Sequence, residues 1–84
     1  MNNQDLIKKI DIRMLDVKRH FHAFQPSIEQ AEKLIKKGFD EKKPNKVYLQ
    51  NALNILGSFI SNGNVREVMK MIQIGMKDGE PNGR

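Results

Sequence analysis

The chain has 84 residues, of which 38% are hydrophobic and 30% are charged, and its formal net charge is +5. This composition is typical of one small globular domain and argues against global disorder. Because the sequence has no cysteine, it excludes disulfides, thiolate metal sites and cysteine nucleophiles. No apolar run approaches the roughly 18 residues that a membrane span needs, and the N-terminus lacks the apolar segment of a signal peptide. We therefore expect a cytoplasmic protein.

The first helix is predicted over residues 3 to 25. Its apolar residues recur at alternating intervals of three and four, which is the spacing of a helix seam. Pro26 is expected to end it, because the residue before a proline is disfavoured in the helical region. The seam consists of Ile7, Ile10, Met14, Val17, Phe21 and Phe24. We interpret Phe21 and Phe24 as core residues rather than as platforms for stacking bases.

The second helix is predicted to begin at Ser27, where SIEQ has the pattern of a capping box. Gly38 is expected to stop it. Glu32 and Lys36 are spaced i,i+4 on its outer face, in the order that favours an ion pair.

The third and fourth helices follow a charged linker, residues 40 to 46. Asn45 is predicted to cap the third helix, at roughly residues 46 to 61, and Asn64 to cap the fourth. The last residues, 77 to 84, include no apolar residue and are expected to form a disordered tail. The helical domain is therefore predicted to span residues 1 to 76.

A faint internal repeat relates SIEQAEKLIKKGF to NVREVMKMIQIGM, 37 residues further along. One interpretation is a tandem pair of helical hairpins, since helical repeats have periods of this order. The other is that two capped helices of equal length look alike. The alignment matches Gly75 with Gly38 and predicts that both are helix stops. The expected fold is all-α, an antiparallel four-helix arrangement of two hairpins, with a thin core that dimerisation would help to stabilise.

The segment VKRHFHAFQPS, residues 17 to 27, raises the question of a metal site. Because successive residues of a helix are rotated by about 100°, His20 and His22 are expected to point in nearly opposite directions. Helical ligand pairs need a spacing of three or four residues. The sequence also lacks a glycine-rich phosphate loop and a G-x-S-x-G motif. We predict a non-enzyme with no metal or cofactor.

Two surfaces are more apolar than a solvated monomer needs. Ile12 and Leu15 lie opposite the seam of the first helix, which favours a second contacting body, although singly exposed apolar residues are also common. The third helix lies in a stretch without charge, from Val47 to Val65, and charges are depleted at the centres of interfaces. The predicted protein interface comprises Ile12, Leu15, Tyr48, Asn51, Asn54, Ile55, Ser58, Met71 and Ile74.

The leading hypothesis is therefore a small regulator, adaptor or inhibitor that binds another protein and also forms a homodimer. The alternative is a basic accessory protein that contacts nucleic acid, because positive net charge favours an anionic partner. A helix-turn-helix is disfavoured, since the helix after SNGN offers few side chains that would reach bases. The basic residues of this alternative are Lys9, Arg13, Lys33, Lys36, Lys37, Lys42 and Lys43.

Overall fold

A computed structural model describes residues 3 to 40 and 45 to 78 of the chain. These two ranges contain four α-helices, one 3₁₀ turn and no strand. Helix α1 spans Asn3–His20, α2 spans Gln25–Phe39, α3 spans Lys46–Gly57 and α4 spans Gly63–Asp78, and the 3₁₀ turn His22–Phe24 connects α1 to α2. The prediction of an all-α fold with four packed helices is confirmed.

The helices run antiparallel around one core. Each packs against two neighbours, in the cyclic order α1, α2, α3, α4, so that α1 lies diagonal to α3 and α2 lies diagonal to α4. At one end of the α1–α4 contact, Arg13 Nη1 donates to Asn64 Oδ1 over 2.9 Å. Towards the other end, Leu6 of α1 lies against Gly75 of α4. The first helix and the last helix therefore run in opposite directions.

One apolar stripe from each helix builds the core. The buried side chains are Leu6, Ile10, Met14 and Val17 of α1, Ile28, Ala31, Ile35 and Phe39 of α2, Leu49, Ala52, Leu53 and Leu56 of α3, and Val65, Val68 and Ile72 of α4. Leu6 was missed by the sequence seam, whereas the predicted Ile7 is only half-buried. Each fully buried Ile, Leu or Val contributes roughly 1.5–3 kcal/mol, and the core is thus the main source of stability.

The first helix is shorter than predicted. It ends at His20, and Phe21 leaves the helical region with φ −106° and ψ 49°. Phe24 N then donates to Phe21 O over 2.8 Å, which closes the 3₁₀ turn. The prediction that the helix continues to residue 25 was wrong.

The second helix begins at Gln25, so Pro26 lies in its first turn. Proline is well tolerated there, because the missing N–H would have had no helical partner and its φ suits a helix. Ser27 is consequently inside the helix, and the prediction that it caps the helix was wrong. Pro26, which was expected to end a helix, therefore lies in the first turn of one.

The predicted cap of α3 is confirmed, and the predicted cap of α4 is wrong. Asn45 Oδ1 accepts hydrogen bonds from the backbone N–H groups of Val47 and Tyr48, over 3.0 and 3.3 Å. For α4 the side chain that accepts from the first turn belongs to Asn62, whose Oδ1 lies 2.8 Å from Asn64 N and 3.2 Å from Val65 N. Helix α3 also ends at Gly57, four residues before the predicted limit.

Gly38 and Gly75 do not stop helices. Gly38 is within α2 and Gly75 is within α4. A Cβ on Gly38 would lie 2.5 Å from Leu49 Cδ2, and a Cβ on Gly75 would lie 2.6 Å from Phe39 Cε1. Both glycines therefore allow a neighbouring side chain to approach the helix backbone.

The C-terminal boundary of the domain also differs from the prediction. Helix α4 continues to Asp78, so the first two residues of the predicted tail are helical. The remaining tail residues, 79 to 84, and the linker residues 41 to 44 lie outside the described part of the chain.

Candidate interaction surfaces

An aromatic cluster occupies the end of the bundle where α1 turns into α2. The rings of Phe21 and Phe59 lie with their centroids 4.7 Å apart, and those of Phe24 and Phe59 lie 5.6 Å apart. Phe21 and Phe59 are half-buried, whereas Phe24 is 54% exposed. The prediction that Phe24 is a core residue was wrong, because α1 ends before it and the 3₁₀ turn carries its ring to the surface.

A groove of about 700 Å³ opens between this cluster and the C-terminal half of α3. Three residues of the predicted interface line it together, Asn54, Ile55 and Ser58. The complete lining, which we call the aromatic groove, is Phe21, Phe24, Ser27, Asn54, Ile55, Ser58 and Phe59. None of these lining residues is charged, in a chain of which 30% is charged. The groove therefore combines an apolar wall with hydroxyl and amide groups.

The other predicted interface residues do not join this groove. Ile12 and Leu15 are 65% and 52% exposed on α1, and α1 lies diagonal to α3. Tyr48 is half-buried and Asn51 is exposed in the N-terminal half of α3. On α4, Met71 is half-buried and Ile74 is exposed. The predicted set is thus spread over several faces of the bundle.

A second groove, of about 530 Å³, lies between α3 and α4. Its lining, which we call the lysine groove, is Lys46, Gln50, Leu53, Lys70, Gln73, Ile74, Met76 and Lys77. Only Ile74 of these residues belonged to the predicted interface. Sequence periodicity identifies which face of each helix is polar, but it does not reveal that two helices leave a gap between them.

Two exposed apolar residues were also missed, Val47 at 69% and Ile60 at 51%. Val47 was noted only as the start of the stretch without charge, and Ile60 lay within the third helix predicted over residues 46 to 61. Because α3 ends at Gly57, Ile60 lies beyond the helix and its side chain no longer follows the helical spacing.

The basic residues of the nucleic-acid alternative fall into separate groups. Lys9 and Arg13 are exposed on α1, and Arg13 is on the side that contacts α4. On α2, exposed positions are occupied by Lys33, Lys36 and Lys37. The two groups thus lie on different helices, α1 and α2, which pack against each other. Lys42 and Lys43 lie outside the described residues.

The two histidines are separated by the end of α1. His20 is the last residue of the helix and His22 is the first of the 3₁₀ turn, so the angle expected from a continuous helix does not apply. The rings of His20 and Phe21 are in a T-shaped arrangement, with centroids 4.7 Å apart and planes at 82°. Within residues 3 to 40 and 45 to 78, no three His, Asp or Glu side chains are grouped so that they could hold a metal ion.

None of the described helices combines the length and apolar character needed to cross a membrane. No family model, curated protein or solved structure matches the chain.

Proposed function

We propose that the protein is a small, non-enzymatic interaction module that binds another protein through the aromatic groove. The observation that carries the proposal is an uncharged groove beside a phenylalanine that is 54% exposed. Aromatic residues are enriched at interfaces, where they bury a large area. Charged residues are depleted at interface centres because their desolvation is unfavourable.

The lining of the groove defines the chemistry of its partner. An apolar or aromatic side chain of the partner would pack against Phe24 and Phe59. Its neighbouring backbone would exchange hydrogen bonds with Ser27, Asn54 and Ser58, which lie along the same groove. A charged side chain is disfavoured at the centre, because nothing in the lining neutralises it. Binding of this kind suits a regulator, adaptor or inhibitor that acts by covering a surface of its partner.

The location of the protein remains a prediction. The cysteine-free sequence suits a reducing compartment, and we propose that the module works in the cytoplasm.

A displayed library of random peptides tests this proposal even though the natural partner is unidentified. Peptides are selected on the wild-type protein, and the affinity of each is then measured for Phe24→Ser. We expect the selected peptides to contain apolar or aromatic anchors and to bind Phe24→Ser at least about tenfold more weakly, which corresponds to about 1.4 kcal/mol. Because Phe24 is largely outside the core, circular dichroism should show an unchanged helix content.

Val47→Ser is the matched control. Val47 is even more exposed than Phe24, and it lies at the opposite end of α3 from Ser58. Its substitution removes a similar exposed apolar side chain and should leave peptide affinity unchanged. A library without enriched binders, or one in which every enriched binder tolerates Phe24→Ser, would contradict the proposal.

A further inference from the structure

The lysine groove differs from the aromatic groove in both position and chemistry. It lies between α3 and α4, whereas the aromatic groove lies between α3 and the turn that connects α1 to α2. Leu53 is almost fully buried beneath the lysine groove and Met76 is half-buried, so the floor is apolar. Ile74 adds a side chain that is 48% exposed. An occupant of this groove would therefore bury apolar surface.

The charged residues that line the groove are all cations. Lys46, Lys70 and Lys77 belong to the lining, and no acidic residue within the described part of the chain does. Glu67 lies nearby, with its carboxylate 3.8 Å from Lys70 Nζ. Both of those side chains are well exposed, and pairs of this kind contribute only about 0–1 kcal/mol. Lys70 is therefore able to exchange this contact for one with a bound anion.

We propose that the lysine groove binds an acidic amphipathic helix of another protein. The apolar side chains of such a helix, spaced i, i+3 or i+4, and i+7, would cover Ile74 and Met76. Acidic side chains on its flanks would face Lys70 and Lys77. These two lysines are seven residues apart on α4, which is about 10 Å along a helix, so an occupant of about three turns would span them.

The apolar floor favours a peptide over other anionic partners. A nucleic acid backbone would satisfy the lysines, but its phosphates would leave Ile74 and Met76 without apolar partners. A helix that binds an anionic membrane inserts apolar side chains that protrude from its face. Leu53, in contrast, is nearly buried in the gap between α3 and α4. The lysines and the apolar floor together are complementary to an acidic amphipathic helix.

Three synthetic peptides of about 15 residues test the proposal, a length that gives about four helical turns. The first has a leucine stripe flanked by glutamates, the second replaces the glutamates by lysines, and the third replaces the leucines by serines. Fluorescence anisotropy gives the affinity of each for the whole protein. We expect the first peptide to bind at least about tenfold more tightly than the other two.

Two double variants separate the groove from the overall charge. Lys70→Glu with Lys77→Glu should weaken binding of the first peptide at least about tenfold. Lys33→Glu with Lys37→Glu changes the net charge equally at exposed positions of α2, and it should change binding less than about twofold because exposed charges at a distance are screened. Equal effects of the two double variants would overturn the proposal, since only net charge would then matter.

Further controls exclude other occupants. Ile74→Ser should weaken the first peptide, and an unchanged affinity would show that the apolar wall is not used, which contradicts the proposal. Groove-dependent binding of duplex DNA, of RNA or of phosphatidylserine vesicles, with no binding of the first peptide, would also overturn it. Phe24→Ser should leave the affinity for the first peptide unchanged. The proposals for the lysine groove and for the aromatic groove are therefore tested independently of each other.

Discussion

Leu49 of α3 packs directly over Gly38 of α2, so that a Cβ at Gly38 would lie 2.5 Å from Leu49 Cδ2. Gly38→Ala is therefore expected to destabilise the protein by about 1–3 kcal/mol, the range for overpacking a core. Alanine in place of glycine would otherwise stabilise a helix by up to about 1 kcal/mol. We expect the overpacking to outweigh that gain. Urea denaturation would measure the free energy of unfolding.

Gly57→Ala is the control for that substitution. Gly57 is the last residue of α3, and nothing lies within 4 Å of the position that its Cβ would take. The substitution should be neutral or should stabilise the protein by about 0.4–1 kcal/mol. If both alanine variants have the same stability, the close contact between α2 and α3 does not exist in solution.

The start of α4 gives a second test, because two asparagines compete for the role of cap. Asn62 Oδ1 accepts from the first-turn N–H groups, so Asn62→Ala should lower the free energy of unfolding by about 1 kcal/mol. Asn64 lies within the helix, and its side chain accepts from Arg13 at an exposed position. Asn64→Ala should therefore have the smaller effect. A larger loss of unfolding free energy for Asn64→Ala than for Asn62→Ala would show that Asn64 caps α4, as the sequence predicted.

Local signals predicted much of the fold, and tertiary contacts explain the errors. Asn45 was identified correctly because a cap involves only the next three residues. Glu32, by contrast, does not pair with Lys36 as its spacing predicted. Its carboxylate lies 3.1 Å from Lys18 Nζ of α1, a partner that depends on how the two helices pack.

The candidate site was predicted only in part. The stretch without charge drew attention to Asn54, Ile55 and Ser58, which do line one groove. Phe24 was misassigned because the 3–4 spacing continues through the point where α1 ends. The lysine groove could not be predicted, because it arises from a gap between α3 and α4 rather than from either helix alone.

Self-association remains a prediction, and α1 offers the cleaner test of it. Leu15 is 52% exposed, so Leu15→Asp should leave the monomer folded. If the outer face of α1 forms a two-fold dimer, the same substitution should give a monomer in sedimentation, because a symmetric interface contains each new charge twice. Ile55→Asp tests α3, although Ile55 packs against the core and its substitution should also reduce stability.

Circular dichroism distinguishes the outcomes of these two substitutions. A folded monomer produced by only one of them would identify its face as the interface. A wild-type protein that is already monomeric at high concentration would rule out the homodimer.

Binding to nucleic acid should be weak and strongly dependent on salt. The basic residues of α1 and α2 are exposed and would contact phosphates rather than bases, so we expect only length-dependent binding of DNA or RNA at low ionic strength. Affinity should be lost between about 50 and 200 mM salt, because binding of this kind releases counterions. Fluorescence anisotropy across a salt series would measure it. A tight complex that resists salt and prefers one sequence would favour the nucleic-acid alternative.

Amide chemical-shift mapping tests most directly whether a partner binds in the aromatic groove. A peptide selected on the wild-type protein is added to isotopically labelled protein, and the shift of each backbone amide is followed. Binding in the aromatic groove should give the largest changes at Phe24, Ser27, Asn54, Ile55 and Ser58, and these changes should disappear in Phe24→Ser. Changes that for every selected peptide are confined to α1 or to the C-terminal half of α4, with the aromatic groove unaffected, would contradict it.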